Sequence, residues 1–442
     1  MGKNVLTPAR YLAGGFAAMI LMGTVLLSFP FATVEGSIHP IDALFTATSA
    51  VCVTGLVVVD TGTYFTLAGQ LIIMFLILGG ALGFMTMATL IFILLGRKIT
   101  LKERLIIKEA LNAESIQGVV YLILAIVKMS VIVILTGTVF LGLRFIPQFG
   151  WERGLLFSFF HAISAFGNAG FDLFGNFQSL TGFAGDYLVS GSILVLFIVG
   201  GLGYPVILEL LRRHKKPAHF SLHTRLVLLF TTILLVVGTL VIFFMEYANP
   251  QTLGTLGFGN KIFAAFFTAA TPRTAGFNVI PTDALTTPVL MFLLIFMFIG
   301  ASPASTGGGV KTTTFVLLLT AVKTLIKGND EVVLYERHVP SPLILKAISV
   351  LFVSLALIFI VIFAINIVED KPFLSLVFEV FSAFGTVGLS TGITPALGNT
   401  GKLLIIITMF VGRIGPLTFL YALARKFNPK GVKYPEERIL IG

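Results

Sequence analysis

Apolar stretches long enough to cross a lipid bilayer recur throughout this sequence of 442 residues. A transmembrane helix needs about 20 mostly apolar residues, and the stretches Tyr11 to Phe29, Gln70 to Leu95 and Ile344 to Val368 reach that length. Hydrophobic residues make up 56% of the chain and charged residues only 11%, a balance that excludes a water-soluble globular protein. The sequence therefore predicts an all-α integral membrane protein.

The only cysteine is Cys52, so the chain cannot form an internal disulfide. No Cys/His cluster indicates a zinc or redox site, and we expect no organic cofactor. The first apolar stretch lacks a small-residue cleavage site after it, which favours a retained helix over a removed signal peptide.

Basic residues gather between the apolar stretches, and this placement explains the net charge of +10 without a nucleic-acid partner. Under the positive-inside rule the basic groups face the cytoplasm. Both termini then lie inside, and the chain leaves and returns four times, which predicts eight transmembrane helices in a multi-pass protein. The groups are Lys3 and Arg10; Arg97, Lys98, Lys102, Arg104 and Lys108; Arg212, Arg213, Lys215, Lys216 and Arg225; Lys323, Lys327, Arg337 and Lys346; and Arg425, Lys426, Lys430, Lys433 and Arg438.

Each excursion contains a short Phe-rich segment that ends in glycine, and the four segments resemble one another: Phe45 to Gly55, Phe160 to Gly170, Phe266 to Gly276 and Phe378 to Gly388. Their glycines are roughly 110 residues apart, enough for a helix, a loop and a helix. Gly79, Gly300 and Gly412 follow their loop glycines at one common spacing, and Gly200 follows at a longer one. We therefore predict four pseudo-repeats, at residues 1–108, 109–218, 219–338 and 339–442.

Non-helical backbone inside hydrocarbon is tolerated only where protein buries it or where it lines a watery cavity. The four segments are therefore expected to meet around a central pore, where backbone carbonyls replace the hydration shell of a cation. One such loop could equally be a glycine turn between helices, whereas four in one register favour a selectivity filter. The predicted ion-binding residues are Val53, Thr54, Gly55, Asn168, Ala169, Gly170, Thr274, Ala275, Gly276, Thr386, Val387 and Gly388.

The third repeat carries a helix-breaking segment after its second helix, from Gly300 to Thr314. Pro303 removes a hydrogen-bond donor, and Gly307 to Gly309 raise the entropic cost of a helix, so we expect a loop beneath the filter. The segment is not a phosphate-binding loop, because Val310 stands where that motif requires lysine. Arg413, expected in the middle of the last apolar helix, is either a pore-facing residue or a structural partner.

The sequence resembles the Ktr/Trk/HKT superfamily of potassium transporters, most closely the bacterial Ktr membrane subunit. The resemblance rests on Asp42 to Ala50, Val53 to Leu56, His161 to Phe166, Thr271 to Asn278, Phe381 to Leu389 and Gly412 to Phe419. It implies potassium as the transported ion, because all-glycine filters accompany potassium preference in this family. It also implies a homodimer in the bacterial inner (cytoplasmic) membrane, resting on a cytosolic ring of nucleotide-binding regulatory subunits of the KtrA type.

The same resemblance implies an intramembrane gate formed by Ala301, Ser302, Pro303, Ala304, Ser305, Thr306, Gly307, Gly308 and Gly309, and we expect Arg413 to act with it. The alternative is an ion-coupled secondary symporter for Na⁺ or K⁺, but such proteins usually show inverted repeats and intramembrane carboxylates. An enzyme is not expected, because no nucleophile, base or metal ligands converge.

Four single residues carry further expectations. Asp42 and Glu379 lie on the short segments, where a carboxylate attracts cations or caps a helix. His161 is expected to be a packed histidine. Arg273 is expected to brace the third loop through hydrogen bonds to loop carbonyls.

Overall fold

The computed structural model describes residues 8–95, 99–110, 118–213, 220–329, 331–423 and 437. The boundary predicted between residues 218 and 219 and the predicted cytosolic tail after residue 423, apart from residue 437, lie outside the described residues, as does much of the predicted basic clusters.

The chain repeats one order of helices four times: a long helix, a short helix of 12 to 16 residues, a loop, and a further helix. The first stretch contains α1 (Pro8–Leu27), α2 (Pro40–Val51), α3 (Thr61–Tyr64), α4 (Leu67–Leu82), α5 (Phe84–Leu94) and α6 (Leu101–Ala110). The second contains α7 (Val119–Phe149), α8 (Trp151–Phe166), α9 (Tyr187–Leu202) and α10 (Tyr204–Arg213).

The third stretch differs from the others because a loop of irregular backbone divides its last helix. It contains α11 (Leu222–Glu246), α12 (Phe258–Ala270), α13 (Thr287–Phe298) and α14 (Thr312–Ile326), followed by the antiparallel pair β1 (Val333–Leu334) and β2 (Arg337–His338). The fourth contains α15 (Ser341–Val368), α16 (Phe373–Gly385), α17 (Asn399–Ile414) and α18 (Pro416–Leu423).

Side-chain caps fix where several of these helices begin. An N-cap oxygen satisfies a backbone N–H that has no partner in the first turn. Asp60 accepts from the N–H of Thr63 at 2.9 Å, and Ser221 accepts from that of Thr224 at 3.3 Å. Asp186 does the same for α9. The loops between helices therefore have defined ends.

The four stretches close into a ring through one repeated helix contact. The helix after each loop packs on the short helix of the next stretch: α4 on α8, α9 on α12, α13 on α16, and α17 on α2. The short helices are consequently buried along most of their length at the centre of the protein.

In the first, second and fourth stretches, a glycine lets the helix after the loop also pack closely on the short helix of its own stretch. A Cβ atom on Gly80 would lie 2.0 Å from the carbonyl oxygen of Val51, and Gly200 and Gly412 would meet short-helix carbonyls at 2.1 and 2.0 Å. Any side chain there would push a helix off the end of a short helix. In the first repeat the glycine at this position is therefore Gly80, whereas the spacing in the sequence predicted Gly79.

Three apolar stretches are bent at a glycine, and one of them is a helix that the sequence predicts to be continuous. The predicted helix Gln70 to Leu95 consists of α4 and α5, which meet at 100° on either side of Gly83, and bends of 99° follow at Gly203 and Gly415. Their φ angles of 82°, 93° and 95° lie in a region that favours glycine. The apolar composition continues through each bend, so it predicts the length of the stretch but not its break.

By length and composition, the described residues contain four helices able to cross a membrane, namely α1, α7, α11 and α15, or up to seven if each bent pair is one span. The protein is a multi-pass membrane protein with a mainly helical fold. The arrangement of eight spans in four repeats stays a prediction, because α13 and α14 are each too short to be counted alone.

Candidate ion pathway

The loops that follow α2, α8, α12 and α16 meet at the centre of the ring. We call them the glycine loops: Val53 to Gly55, Asn168 to Gly170, Thr274 to Gly276 and Thr386 to Gly388. Each glycine faces a backbone carbonyl of the next loop in chain order, and the fourth faces the first. A Cβ atom on Gly55 would lie 2.5 Å from the carbonyl oxygen of Ala169, and one on Gly170 would lie 3.0 Å from that of Ala275. A Cβ atom on Gly276 would lie 2.7 Å from the carbonyl oxygen of Val387, and one on Gly388 would lie 2.2 Å from that of Thr54.

The four glycine loops share one backbone conformation. The glycines have φ angles of 89°, 69°, 79° and 91°, and the residues two positions earlier, Val53, Asn168, Thr274 and Thr386, have φ angles of 50°, 56°, 73° and 51°. For a residue other than glycine this left-handed conformation costs of order 1–3 kcal/mol and persists only where its surroundings fix it. The sequence predicts the glycines but not this second left-handed position.

Hydroxyl groups on the short helices hold the glycine loops in place. The N–H groups of Gly55 and Gly388 donate to the hydroxyls of Ser49 and Ser382, both at 3.1 Å. In the second loop the hydroxyl of Ser164 instead donates to the carbonyl of Phe171 at 2.6 Å. These serines are signals that sequence analysis missed, since all three stand six residues before their glycine.

A cavity of about 430 Å³ opens on one side of the ring, and all four glycines line it. Its walls come from residues that follow the glycines, including the carboxylates Asp60, Asp172 and Asp283. Three carboxylates favour the approach of a cation to this side of the ring.

Asp172 lies in the loop between α8 and α9, outside the spanning helices. The pKa of its carboxyl is raised to about 7, mainly because the group is buried. A hydrogen bond from the N–H of Phe174 at 3.1 Å lowers this pKa, and the negative charge of Asp60 raises it. Because its pKa is raised, the Asp172 carboxyl is neutral below about pH 7 and charged above it. The negative potential of the cavity therefore increases as the pH rises through neutrality.

Residues Ala301 to Gly309, the 301–309 loop, lie on the other side of the ring. The loop returns to its own start, because the N–H of Gly300 donates to the carbonyl of Val310 at 2.9 Å. It is hydrogen-bonded to the second stretch by Ser302 N to Gly201 O at 3.1 Å and by Tyr204 N to Ala304 O at 2.9 Å. Backbone groups that a helix break leaves unpaired thus find partners on a neighbouring helix.

Two cationic side chains bind carbonyls of this loop. The guanidinium of Arg413 donates to the carbonyls of Thr306 and Gly80. The ammonium of Lys311 donates to the carbonyl of Gly307 at 2.6 Å. Arg413 lies in the last turn of α17 and not in the middle of a helix, because the chain bends at Gly415. Sequence analysis did not single out Lys311.

Three other residues singled out in the sequence are each bound by neighbouring protein groups. Asp42 forms an ion pair with Lys402, with 2.6 Å between Oδ1 and Nζ. Glu379 is fully buried and accepts hydrogen bonds from Ser390, at 2.8 Å, and from Thr394. His161 is packed as expected: its Nε2 accepts from the N–H of Leu173, so Nδ1 carries the proton and donates to Phe157 O at 2.7 Å.

The expectation for Arg273 is wrong. Its guanidinium donates to the hydroxyl of Thr231 on α11 at 3.2 Å and not to loop carbonyls. The third loop instead receives a hydrogen bond from the second, since the amide of Asn168 donates to the hydroxyl of Thr274 at 3.1 Å. The long arginine side chain reaches outward to a neighbouring helix, a direction that the sequence does not specify.

The sequence is similar to a known family and to several known proteins. The model of a family described as TrkH, cation transport protein, matches residues 17–431. The chain is 47% identical to Ktr system potassium uptake protein B of Bacillus subtilis (strain 168), covering 99% of this chain and 97% of that protein. It is 41% identical to the protein of the same name from Vibrio alginolyticus, covering 98% and 94%.

The potassium/sodium uptake protein NtpJ of Enterococcus hirae is also 41% identical, covering 100% of this chain and 98% of that protein. Among solved structures, the potassium transporter TrkH from Vibrio parahaemolyticus matches with a TM-score of 0.70, covering 96% of this chain and 86% of that chain. The sequence identity to that protein is 18%, so this structural similarity shows a shared fold alone.

Proposed function

Since the chain belongs to the TrkH family of cation transport proteins, we propose that it is the potassium-translocating subunit of a bacterial potassium uptake system. The family match and the identity to the Ktr proteins confirm the resemblance that the sequence motifs indicate. Relatives named as potassium uptake proteins support potassium as the cargo. The observation that carries the proposal is the closed ring of four glycine loops.

In this proposal the glycine loops form the selectivity filter. Their twelve residues supply carbonyl oxygens that replace the water around a potassium ion, which is larger and less strongly hydrated than sodium. The short helices support this role, because α2, α8, α12 and α16 end immediately before the loops and the carboxyl end of a helix carries partial negative charge. Cations are thus stabilised at the ring without a bound carboxylate.

The 301–309 loop is proposed as the gate. It lies against the ring on the side opposite the cavity, and its irregular backbone is not restrained by the regular hydrogen bonds of a helix. The positive charge of Arg413 raises the barrier to a cation while the loop is in place. Movement of the loop then controls channel-like flux.

Function is tested with the purified chain in liposomes under a clamped voltage. We expect potassium flux that follows the potassium gradient without added sodium, and restored growth at low potassium in a bacterium that lacks its own uptake systems. Lack of flux in folded protein, or equal sodium and potassium flux, would contradict the proposal.

Assembly and orientation are proposed on the resemblance and on charge. We propose a homodimer in the inner membrane with cytoplasmic termini, contacting a cytosolic nucleotide-binding ring. The molar mass of the purified complex tests the dimer. Flux measured with and without the ring and its nucleotide tests the regulator.

Cysteine labelling tests the orientation. Lys327 directly follows α14 and Asp370 follows the spanning helix α15; both residues are exposed, and the native Cys52 is buried. Because basic residues face the cytoplasm, an impermeant thiol reagent applied to intact cells should label Asp370→Cys and not Lys327→Cys. Labelling in the reverse pattern would refute the orientation.

A sodium-coupled symporter is the second candidate, favoured by the 41% identity to a protein named for potassium and sodium uptake. The liposome experiment separates the two candidates. A symporter requires a sodium gradient to accumulate potassium, whereas a channel-like subunit does not.

A further inference from the structure

The 301–309 loop is hydrogen-bonded to the glycine loops themselves. The hydroxyl of Thr306 donates to Oδ1 of Asn168 at 3.2 Å, and the N–H of Gly308 donates to the hydroxyl of Thr386 at 3.0 Å. Gly307 is equally close, since a Cβ atom on it would lie 2.0 Å from the hydroxyl oxygen of Thr274. Three of the four glycine loops therefore touch this segment through side chains.

These side chains belong to the residues with left-handed backbone. Asn168, Thr274 and Thr386 each stand two positions before a loop glycine with φ of 56°, 73° and 51°. That conformation turns the three side chains away from the cavity and toward the 301–309 loop. The fourth equivalent residue, Val53, has no polar group to offer, so the attachment is asymmetric.

Asn168 joins three segments at once. Its amide nitrogen donates to the hydroxyl of Thr274 at 3.1 Å and to the carbonyl of Arg273 at 3.4 Å, while its oxygen accepts from Thr306. Asn168, Thr274, Thr306 and Thr386 are fully buried. Buried polar groups are costly to leave unpaired, so these bonds tie the conformation of the glycine loops to the position of the 301–309 loop.

We infer that Asn168 and Thr386 are positioning residues that fasten the gate to the base of the filter, so that the position of the gate sets ion selectivity as well as flux. The inference rests on the proposed function. When the 301–309 loop moves away, the Asn168 oxygen and the Thr386 hydroxyl lose their hydrogen-bond partners in that loop. The left-handed backbone conformations of Asn168 and Thr386 are then less strongly stabilised. The filter then discriminates less sharply between potassium and sodium. The coupling is reciprocal, so the ion in the filter also changes the stability of the closed loop.

The test uses Thr306→Val, which removes one hydroxyl outside the filter and keeps the side-chain shape. Potassium and sodium fluxes are measured in liposomes at matched amounts of folded protein. We expect potassium flux to rise about two- to tenfold, as loss of one buried hydrogen bond implies, and the potassium-to-sodium flux ratio to fall. Thr306→Ser retains the hydroxyl and should retain the parental ratio.

The matched control is Thr46→Val on α2, because the Thr46 hydroxyl is buried and has no hydrogen-bond partner in the described part of the chain. Its flux ratio should equal that of the parent. If Thr306→Val does not fold, Thr306→Ala compared with Thr306→Ser tests the same bond.

A folded Thr306→Val protein with the parental flux ratio would overturn the inference, whether or not its flux increases, because a gate that only obstructs the pore does not change selectivity. If the parental chain itself carries no potassium, the proposed function fails first and the inference falls with it.

Discussion

Gly388→Ser is expected to abolish most of the preference for potassium over sodium. A Cβ atom at Gly388 would lie 2.2 Å from the carbonyl oxygen of Thr54, one of the oxygens proposed to bind the ion. That distance is far below van der Waals contact, so either the first or the fourth glycine loop must move. Displacement of carbonyls that replace an ion's hydration shell removes the discrimination they provide.

The four glycines are not expected to respond equally. The same hypothetical contact to the neighbouring carbonyl is 2.5 Å at Gly55, 2.7 Å at Gly276 and 3.0 Å at Gly170. Each substitution also places a side chain at positive φ, which costs of order 1 kcal/mol or more. We therefore expect the potassium-to-sodium flux ratio to fall about tenfold or more for Gly388→Ser, since tenfold corresponds to about 1.4 kcal/mol, and least for Gly170→Ser.

Flux ratios in liposomes measure this series, with Gly191→Ser as the matched control. Gly191 lies in α9 with no atom within 4 Å of a hypothetical Cβ, and its φ is ordinary. If Gly55→Ser, Gly170→Ser and Gly388→Ser all kept the parental ratio in folded protein, the glycine loops would not be the filter.

The main course of the chain could be predicted from the sequence because its physical causes are local. Apolar stretches demand a bilayer, and the glycines at 55, 170, 276 and 388 mark where helical backbone ends. Pro303 with Gly307 to Gly309 predicts a break because both residue types disfavour helix. The structure has irregular backbone there, between α13 and α14.

The unpredicted features depend on contacts between distant segments. The bends at Gly83, Gly203 and Gly415 interrupt stretches whose apolar composition does not change. A glycine inside such a stretch is tolerated in a membrane helix, so the residue type alone does not mark a bend. The sequence does not indicate a role for Lys311, because its partner, the Gly307 carbonyl, becomes available only once the loop folds back. The direction of the Arg273 side chain is likewise set by Thr231, 42 residues earlier.

Excision of Ala301 to Gly308 is expected to increase potassium flux strongly and to make it less dependent on a regulatory partner. The two ends of the loop lie side by side and run in parallel, so excision leaves no long gap to span but requires the chain to reverse direction at the junction. A Cβ atom on Gly309 would lie 3.3 Å from the Cα of Gly300, and Ile299 and Val310 form a β-bridge. Gly300 can therefore be joined directly to Gly309. Minor conformations are commonly populated at about 10% or less, so removal of the obstruction should raise flux roughly tenfold or more.

Arg413→Ala should weaken closure by a separate route. The guanidinium donates to the carbonyls of Thr306 and Gly80, and so bridges the loop to the first stretch. Loss of the bridge frees the loop and also removes a positive charge beside the conduction path, so both effects increase flux. Arg413→Lys keeps the charge but not the planar fork that reaches two carbonyls at once, and we expect an intermediate flux.

Loss of folding is the rival explanation for any change in these variants, so size-exclusion profiles and thermal unfolding must accompany flux. Replacement of Ala301 to Gly308 by eight alternating glycine and serine residues provides the control for length. That variant keeps a loop in the pore but loses the Thr306 hydroxyl. Flux between the parental and deletion values is then expected, because a loop that is present but unfastened obstructs only part of the time. A folded deletion variant with parental or lower flux would refute the gate. Removal of a gate opens the pore, whereas removal of a passive helix break does not.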